Sequence, residues 1–211
     1  GLIQIPVLLS AFPQTGIPTL FGTNKVSSIA GTGASLWRYA RAVRIPWRLV
    51  LPATAAALLG AWLGAAVVAW IPREAMRPLV VVMMLAVAVY TFLRKNLGQE
   101  ETHEARPGDL WRGALFGLVI GFYDGFFGPG TGSFLIFGFV RVFGLDFIRA
   151  SASAKVVNFA TNLSAISFFA SNGPILWAVG LTMAACNLAG AYVGTHLALK
   201  HGAGFIRKAF L

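Results

Sequence analysis

From Val156 to Leu199 the chain carries no Asp, Glu, Lys or Arg, and Asn172-Gly173-Pro174 divides that apolar run in two. Trp47 to Ile71 is a second long run, with one charge, Arg48, at its edge. About 20 apolar residues cross a bilayer as a helix, and a helix facing water needs a polar side that these runs lack. The pattern predicts helical spans near 24–37, 47–71, 78–93, 110–124, 131–143, 152–171 and 174–199. The longest polar stretch, Arg94 to Arg112, includes Glu100, Glu101 and Glu104 and reads as a water-facing linker. His103 lies in it without ligand partners nearby.

The pattern also repeats. Shifted by 130 residues, Lys25-Val26 falls on Lys155-Val156, and Ile45-Pro46-Trp47 on Ile175-Leu176-Trp177. Gly60-Ala61-Trp62-Leu63-Gly64 falls on Gly190-Ala191-Tyr192-Val193-Gly194, and no gap is needed from Thr23 to Arg77. Such self-similarity marks a duplicated unit. It divides the chain into a first repeat over 1–93, a linker over 94–109 and a second repeat over 110–211. The register sets Gly1 to Ser10 against the stretch just after Gly130. By that register the first copy lacks its own opening motif, and the second lacks the apolar helix that follows Arg77 in the first.

Charge sets the orientation. Walking the loops alternately, one side collects Arg38, Arg41, Arg44, Arg48, Arg94, Lys95, Arg106, Arg112, Arg141, Arg149, Lys200, Arg207 and Lys208. The other side keeps Arg73 and Arg77. Basic loops stay cytoplasmic, so the arginine-rich loop at 38–48 faces inward and its uncharged counterpart at 171–174 faces outward. The two copies are therefore expected to be inverted, as in many secondary transporters. The net charge of +10 has no need of nucleic acid, because the basic residues sit between apolar spans.

Composition agrees: 57% hydrophobic and 11% charged, against roughly 25% charged in soluble domains. The expected fold is an all-α integral membrane protein, a polytopic bundle of two inverted repeats with broken or re-entrant helices at a Gly-rich motif. Cys186 is the single cysteine and reads as a small packing residue. The Gly60-xxx-Gly64 and Gly190-xxx-Gly194 pairs read as close helix contacts. Trp37, Trp47, Trp70, Trp111 and Trp177 fall near span ends as interfacial anchors, and His196 reads as packing or interfacial.

Chemistry concentrates at Gly121-Phe122-Tyr123-Asp124-Gly125-Phe126-Phe127-Gly128-Pro129-Gly130-Thr131-Gly132-Ser133. Glycine and proline interrupt helices, and a break at membrane depth is tolerated where it lines protein or a water-filled cavity. The Gly128–Gly132 run would open a half-helix whose free N–H groups suit an anion, with Thr131 and Ser133 adding hydroxyls. Of the seven acidic residues, Asp124 alone is placed to face the interior. It could carry a proton, pair with Lys25 or Lys155, or cap the turn. Lys25 and Lys155 are expected to begin equivalent helices. Lys155, Asn158 and Asn162 share one helical face, which serves either helix–helix hydrogen bonding or an anion route.

The Gly121–Gly132 segment, with Ala154-Lys155-Val156-Val157-Asn158 and the first-copy run Gly22-Thr23-Asn24-Lys25-Val26, resembles the TauE/SafE sulfite-exporter family over essentially the whole chain. That resemblance implies a bacterial inner-membrane permease built by duplication, for sulfite or organosulfur anions. The combined reading is a secondary transporter of a small anion working by alternating access. Candidate substrate-binding residues are Asn24, Lys25, Asp124, Gly128, Gly130, Thr131, Gly132, Lys155, Asn158 and Asn162. A passive anion channel and a structural membrane subunit are the alternatives. The chain shows no HExxH, no Ser-His-Asp set within the spans and no paired acids there, so an enzyme is not expected. No cofactor or metal is called for. The partners expected are the anion and the lipid bilayer, with protons as a candidate coupling ion, no nucleic acid, and homo-oligomerisation open.

Overall fold

A computed structural model describes residues 3–93 and 108–210. The described residues form eight helices: α1 Gln4–Ala11, α2 Ile17–Ala42, α3 Trp47–Ala69, α4 Arg73–Leu93, α5 Asp109–Phe126, α6 Thr131–Phe143, α7 Phe147–Asn172 and α8 Trp177–Phe210. His103 and most of the expected linker lie outside the described residues.

The repeat reappears as helix boundaries. α2 and α7 are both 26 residues long and start 130 residues apart, and α3 and α8 start with the same offset. Their N-caps correspond too. Gly16 caps α2, with a Pro in its first turn. Asp146 caps α7, its Oδ1 accepting from Ile148 N at 3.1 Å and Arg149 N at 2.9 Å. Both residue types suit a position outside the helical φ/ψ range that faces unpaired N–H groups. These caps start the two helices several residues before the expected spans. Lys25 and Lys155 therefore do not begin their helices; each sits more than two turns inside. Equivalent helices diverge where proline intervenes. Pro72 separates α3 from α4, whereas Gly202 occupies the corresponding position and α8 continues through it.

α2 and α7 cross antiparallel. Gly22 meets Phe169, Gly33 meets Phe159, and Gly173 meets Thr19. At the centre Asn162 Nδ2 lies 3.5 Å from Thr32 Oγ1, its own counterpart 130 residues earlier. A pseudo-twofold axis therefore passes between them. α2 packs on α8 as α7 packs on α3, and α1 packs on α2 as α6 packs on α7.

α5 and α6 form a hairpin. Tyr123 and Phe134 rings meet at 5.2 Å near the turn, and Phe116 meets Phe139 and Phe143 further down. α6 has 13 residues, roughly 20 Å of helix, short of the roughly 30 Å hydrocarbon core. Its turn places Phe127 in a buried cluster with Ala65 and Val68 of the last turns of α3. α5 lies parallel to α3, with Gly117, Gly121 and Gly125 against the backbone of Ala53, Ala57 and Ala61. Only hydrogen atoms fit at such an approach, so the glycines allow backbone-to-backbone packing.

The molecule is polar inside and apolar outside. Thr23, Asn24, Lys25, Ser27, Asp124, Thr161 and Asn162 are buried, while Leu59, Leu63, Val82, Leu85, Val119, Leu181 and Val193 are exposed. Among the described residues two helices, Trp47–Ala69 and Trp177–Lys200, are long and apolar enough on their own to cross a membrane. α2, α5 and α7 carry most of the buried polar residues. Trp37, Trp47, Trp70, Trp111 and Trp177 are all exposed, as anchors must be. Cys186 is also exposed, on α8. It does not fill the packing gap expected of it: among the described residues no helix covers that side of α8 as α5 covers α3.

Candidate functional site

A cavity of about 490 Å³ opens between α2, α7, α8 and the α5–α6 turn. Asn24, Lys25, Asp124, Gly128, Gly130, Thr131, Gly132, Lys155, Asn158 and Asn162 all line it. The pseudo-twofold crossing explains why: residues near the middle of α2 and α7 converge on one space.

The turn owes its shape to two glycines. Gly128 has φ 90° and Gly130 φ 84°, a left-handed conformation costly for other residues. Thr131 Oγ1 donates to Gly128 O at 2.7 Å, and Tyr123 Oη donates to Pro129 O. Gly130 caps α6 without any side-chain hydrogen bond; the turn's own backbone takes up the first donors, Thr131 N donating to Gly128 O and Ser133 N to Gly130 O. A Cβ at Gly132 would stand 3.7 Å from Asn158 Nδ2. The first turn of α6 and the Asn158 amide thus face each other.

The charge at the break has a definite partner. Lys25 Nζ meets Asp124 Oδ2 at 2.9 Å and donates to the Asp124 backbone O at 2.6 Å, with both side chains 3% exposed. A single ammonium thereby neutralises a buried carboxylate and satisfies one of the carbonyls left open where α5 ends. Of the three roles open to Asp124 in the sequence, the geometry realises pairing with Lys25. Gly128 is pressed against this pair: a Cβ there would lie 3.1 Å from Lys25 Nζ.

Lys155, the counterpart of Lys25, is half-buried and lines the same cavity. Among the described residues it has no ion-pair or hydrogen-bond partner. Asn158 and Asn162 follow it along the same face, Asn162 Nδ2 donating to Asn158 Oδ1 at 3.1 Å. Across the cavity the Asn24 Oδ1 atom is buried with no donor. The wall is thus asymmetric: one lysine is quenched and the other is free.

Three further lining residues escaped the sequence reading. Asn187 Nδ2 donates to Ser27 O at 3.0 Å, tying α8 to α2. Thr195 Oγ1 donates to Ser35 Oγ at 3.0 Å. Ser151 Oγ donates to Phe147 O. A lone amide within an uncharged run was the available signal for Asn187. His196 sits at the exposed rim, where its Nδ1 is 3.2 Å from Arg38 Nη2. That is an interfacial position, as expected.

A helical bundle with a lipid-compatible exterior, a buried polar interior and a cavity at a broken helix belongs to the polytopic transport proteins. Comparison with known proteins makes the class specific. The family described as sulfite exporter TauE/SafE matches residues 1–211, and the chain belongs to that family. A probable membrane transporter protein, ORF9, of a Sinorhizobium species is 37% identical over 98% of this chain and 78% of its own length. One of Haemophilus influenzae is 34% identical over 98% of this chain and 80% of its own. The probable membrane transporter YfcA of Escherichia coli is 29% identical over 98% of this chain and 76% of its own. No solved structure matches. The protein is accordingly a membrane protein of a transporter family.

Proposed function

We propose that the protein is a multi-pass secondary transporter of the bacterial inner membrane that moves a small sulfur-containing anion by alternating access between inverted halves. The observation that carries this reading is the free Lys155 ammonium, set beside Asn158 and Asn162 in one cavity with the first turn of α6. An ammonium with no internal acceptor among the described residues calls for an anion. Asn158, whose Nδ2 faces the first turn of α6, orients its oxygens. The cavity volume lies within the usual range for small-molecule sites and exceeds what sulfite alone needs, which favours organosulfur anions alongside it.

In this mechanism the Lys25–Asp124 pair is the switch. Closed, it pins the α5–α6 turn to α2. A proton delivered to Asp124 removes the charge that holds Lys25, freeing the turn and adding a second cation to the anion route. The antiparallel crossing of α2 and α7 supports rocking of one repeat against the other, and matched helix starts in both copies support their inverted topology.

Flux across proteoliposome membranes tests the reading. The full-length protein would be reconstituted with sulfite inside and a proton gradient imposed. The expected result is gradient-driven flux, reduced roughly tenfold or more by Lys155→Gln, since a hydrogen bond to a charged group contributes about 1.5–3 kcal/mol. Gradient dependence should vanish in Asp124→Asn. Flux indifferent to the gradient in both proteins would instead make the protein a passive channel. No flux with sulfite or with a larger organosulfonate would remove the transport reading and leave a structural subunit.

A further inference from the structure

The 130-residue register sets the two ends of the bundle interior against each other. Ser35 and Tyr39 of α2 correspond to Ala165 and Phe169 of α7, Ser151 of α7 to Phe21 of α2, and Thr195 of α8 to Ala65 of α3. The first member of each pair lies toward the C-terminal end of α2, beside Arg38, and the second toward the C-terminal end of α7. All four first members carry a hydroxyl and line the cavity. All four second members are apolar, at most 1% exposed, and packed in one cluster with Ile5, Leu20 and Val68. No member of that cluster lines the cavity. Within it the Phe21 and Phe169 rings lie 6.2 Å apart, and a Cβ at Gly22 would come 2.9 Å from Phe169 Cβ. The small-residue pairs divide in the same way. A Cβ at Gly60 or Gly64 would overlap the backbone of α5, whereas one at Gly190 or Gly194 meets nothing within 4 Å, and both of these glycines line the cavity. The expectation of close packing at both pairs holds for the first alone.

We propose that the cavity is entered from the Arg38 side, through the end lined by Ser35, Tyr39, Ser151 and Thr195, and is sealed on the opposite side by the Phe21–Phe169 contact backed by Ala65 and Ala165. Duplicated positions share one backbone frame, so their side chains make the difference. Hydroxyls donate and accept hydrogen bonds, so that end holds water and replaces part of an anion's hydration shell. Packed apolar side chains offer no such bonds, and a hydrophobic constriction excludes water and ions together. An anion passing the hydroxyls meets Lys155 next, one turn from Ser151 on the same face of α7. On the alternating-access reading, on which this step rests, Phe21 and Phe169 form the gate that parts when the two halves exchange states. The duplicated halves thus close the path with unlike gates, one polar and one aromatic.

Thiol labelling tests this without any measurement of transport, so its failure and that of the transport reading are distinguishable. In a Cys186→Ser background the full-length protein would carry single cysteines at two matched pairs, Ser35→Cys with Ala165→Cys and Thr195→Cys with Ala65→Cys. These are small changes, and unfolding in detergent would confirm that each variant folds. Membrane vesicles of both orientations would then meet an impermeant thiol reagent. Ser35→Cys and Thr195→Cys should react from the Arg38 face alone. Ala165→Cys and Ala65→Cys should react from either face at least roughly tenfold more slowly, the factor that about 1.4 kcal/mol of opening free energy imposes. Adding Phe169→Ala, or Phe21→Ala where the first does not fold, should let Ala165→Cys react from the face opposite Arg38. Equal reactivity within each pair would overturn the proposal. So would labelling of Thr195→Cys from the far face, or an Ala165→Cys that stays protected once the aromatic contact is removed.

Discussion

Lys25 and Lys155 hold equivalent positions and do different work. Lys25 is 2.9 Å from a buried carboxylate, so Lys25→Ala strands Asp124 without its counter-charge. Breaking a buried pair in this way costs about 3–5 kcal/mol. Thermal unfolding in detergent should show that loss, with Lys25→Ala/Asp124→Ala recovering a large part of it; equal losses in the single and double variants would mean the pair is not coupled. Lys155→Gln should leave stability nearly unchanged, because Lys155 has no partner to lose among the described residues. Gly128→Ala combines a left-handed φ, costing roughly 1–2 kcal/mol, with a methyl group 3.1 Å from Lys25 Nζ. It should destabilise more than Gly132→Ala, whose Cβ would make only an ordinary contact. The residues of this site were legible as a list, because a carboxylate, two lysines and three amides stand out in an apolar chain. Their pairing was not. Asp124 lies 99 positions from Lys25, and only the crossing of α2 with the α5–α6 turn decides which lysine it meets.

The helices follow local rules that the sequence displays unevenly. The bounds of α6, Thr131 to Phe143, coincide with the expected span, since Gly130 and Gly144 punctuate it on both sides. α2 and α7 extend beyond expectation because their first turns mix polar and apolar residues, and the caps at Gly16 and Asp146 mark the true starts. Asn187 was missed because its neighbours are uncharged and its partner, Ser27, lies 160 residues away. The α3–α5 pair is the element contact most sensitive to size. Gly121→Val would drive its side chain into the Ala57 backbone, an overpacking that costs typically about 1–3 kcal/mol and occasionally more. An unfolding midpoint equal to that of the parent would show that α3 and α5 are not held this closely.

Over the whole molecule, the antiparallel crossing sets the C-terminal ends of α2 and α7 on opposite faces of the bundle. Arg44 follows the C-terminal end of α2, whereas Trp70 and Asn172 mark the C-terminal ends of α3 and α7. Single cysteines at Trp70 and Asn172, in a Cys186→Ser background, should react with an impermeant thiol reagent added to intact cells. A cysteine at Arg44 should react only after the membrane is opened. Labelling of all three from outside would contradict the inverted arrangement. The repeat and the basic loops made this architecture readable before any coordinates, whereas the asymmetry of its interior was hidden, because counterparts look alike until their neighbours are known. The contact between Thr32 and Asn162 carries a consequence of its own. Where a residue touches its own duplicate, the two gene copies share one physical place, and a change in either copy is felt by both. Away from that axis each copy is free to specialise, as the two lysines have. Duplication here supplied a symmetrical frame, and divergence within it supplied a direction.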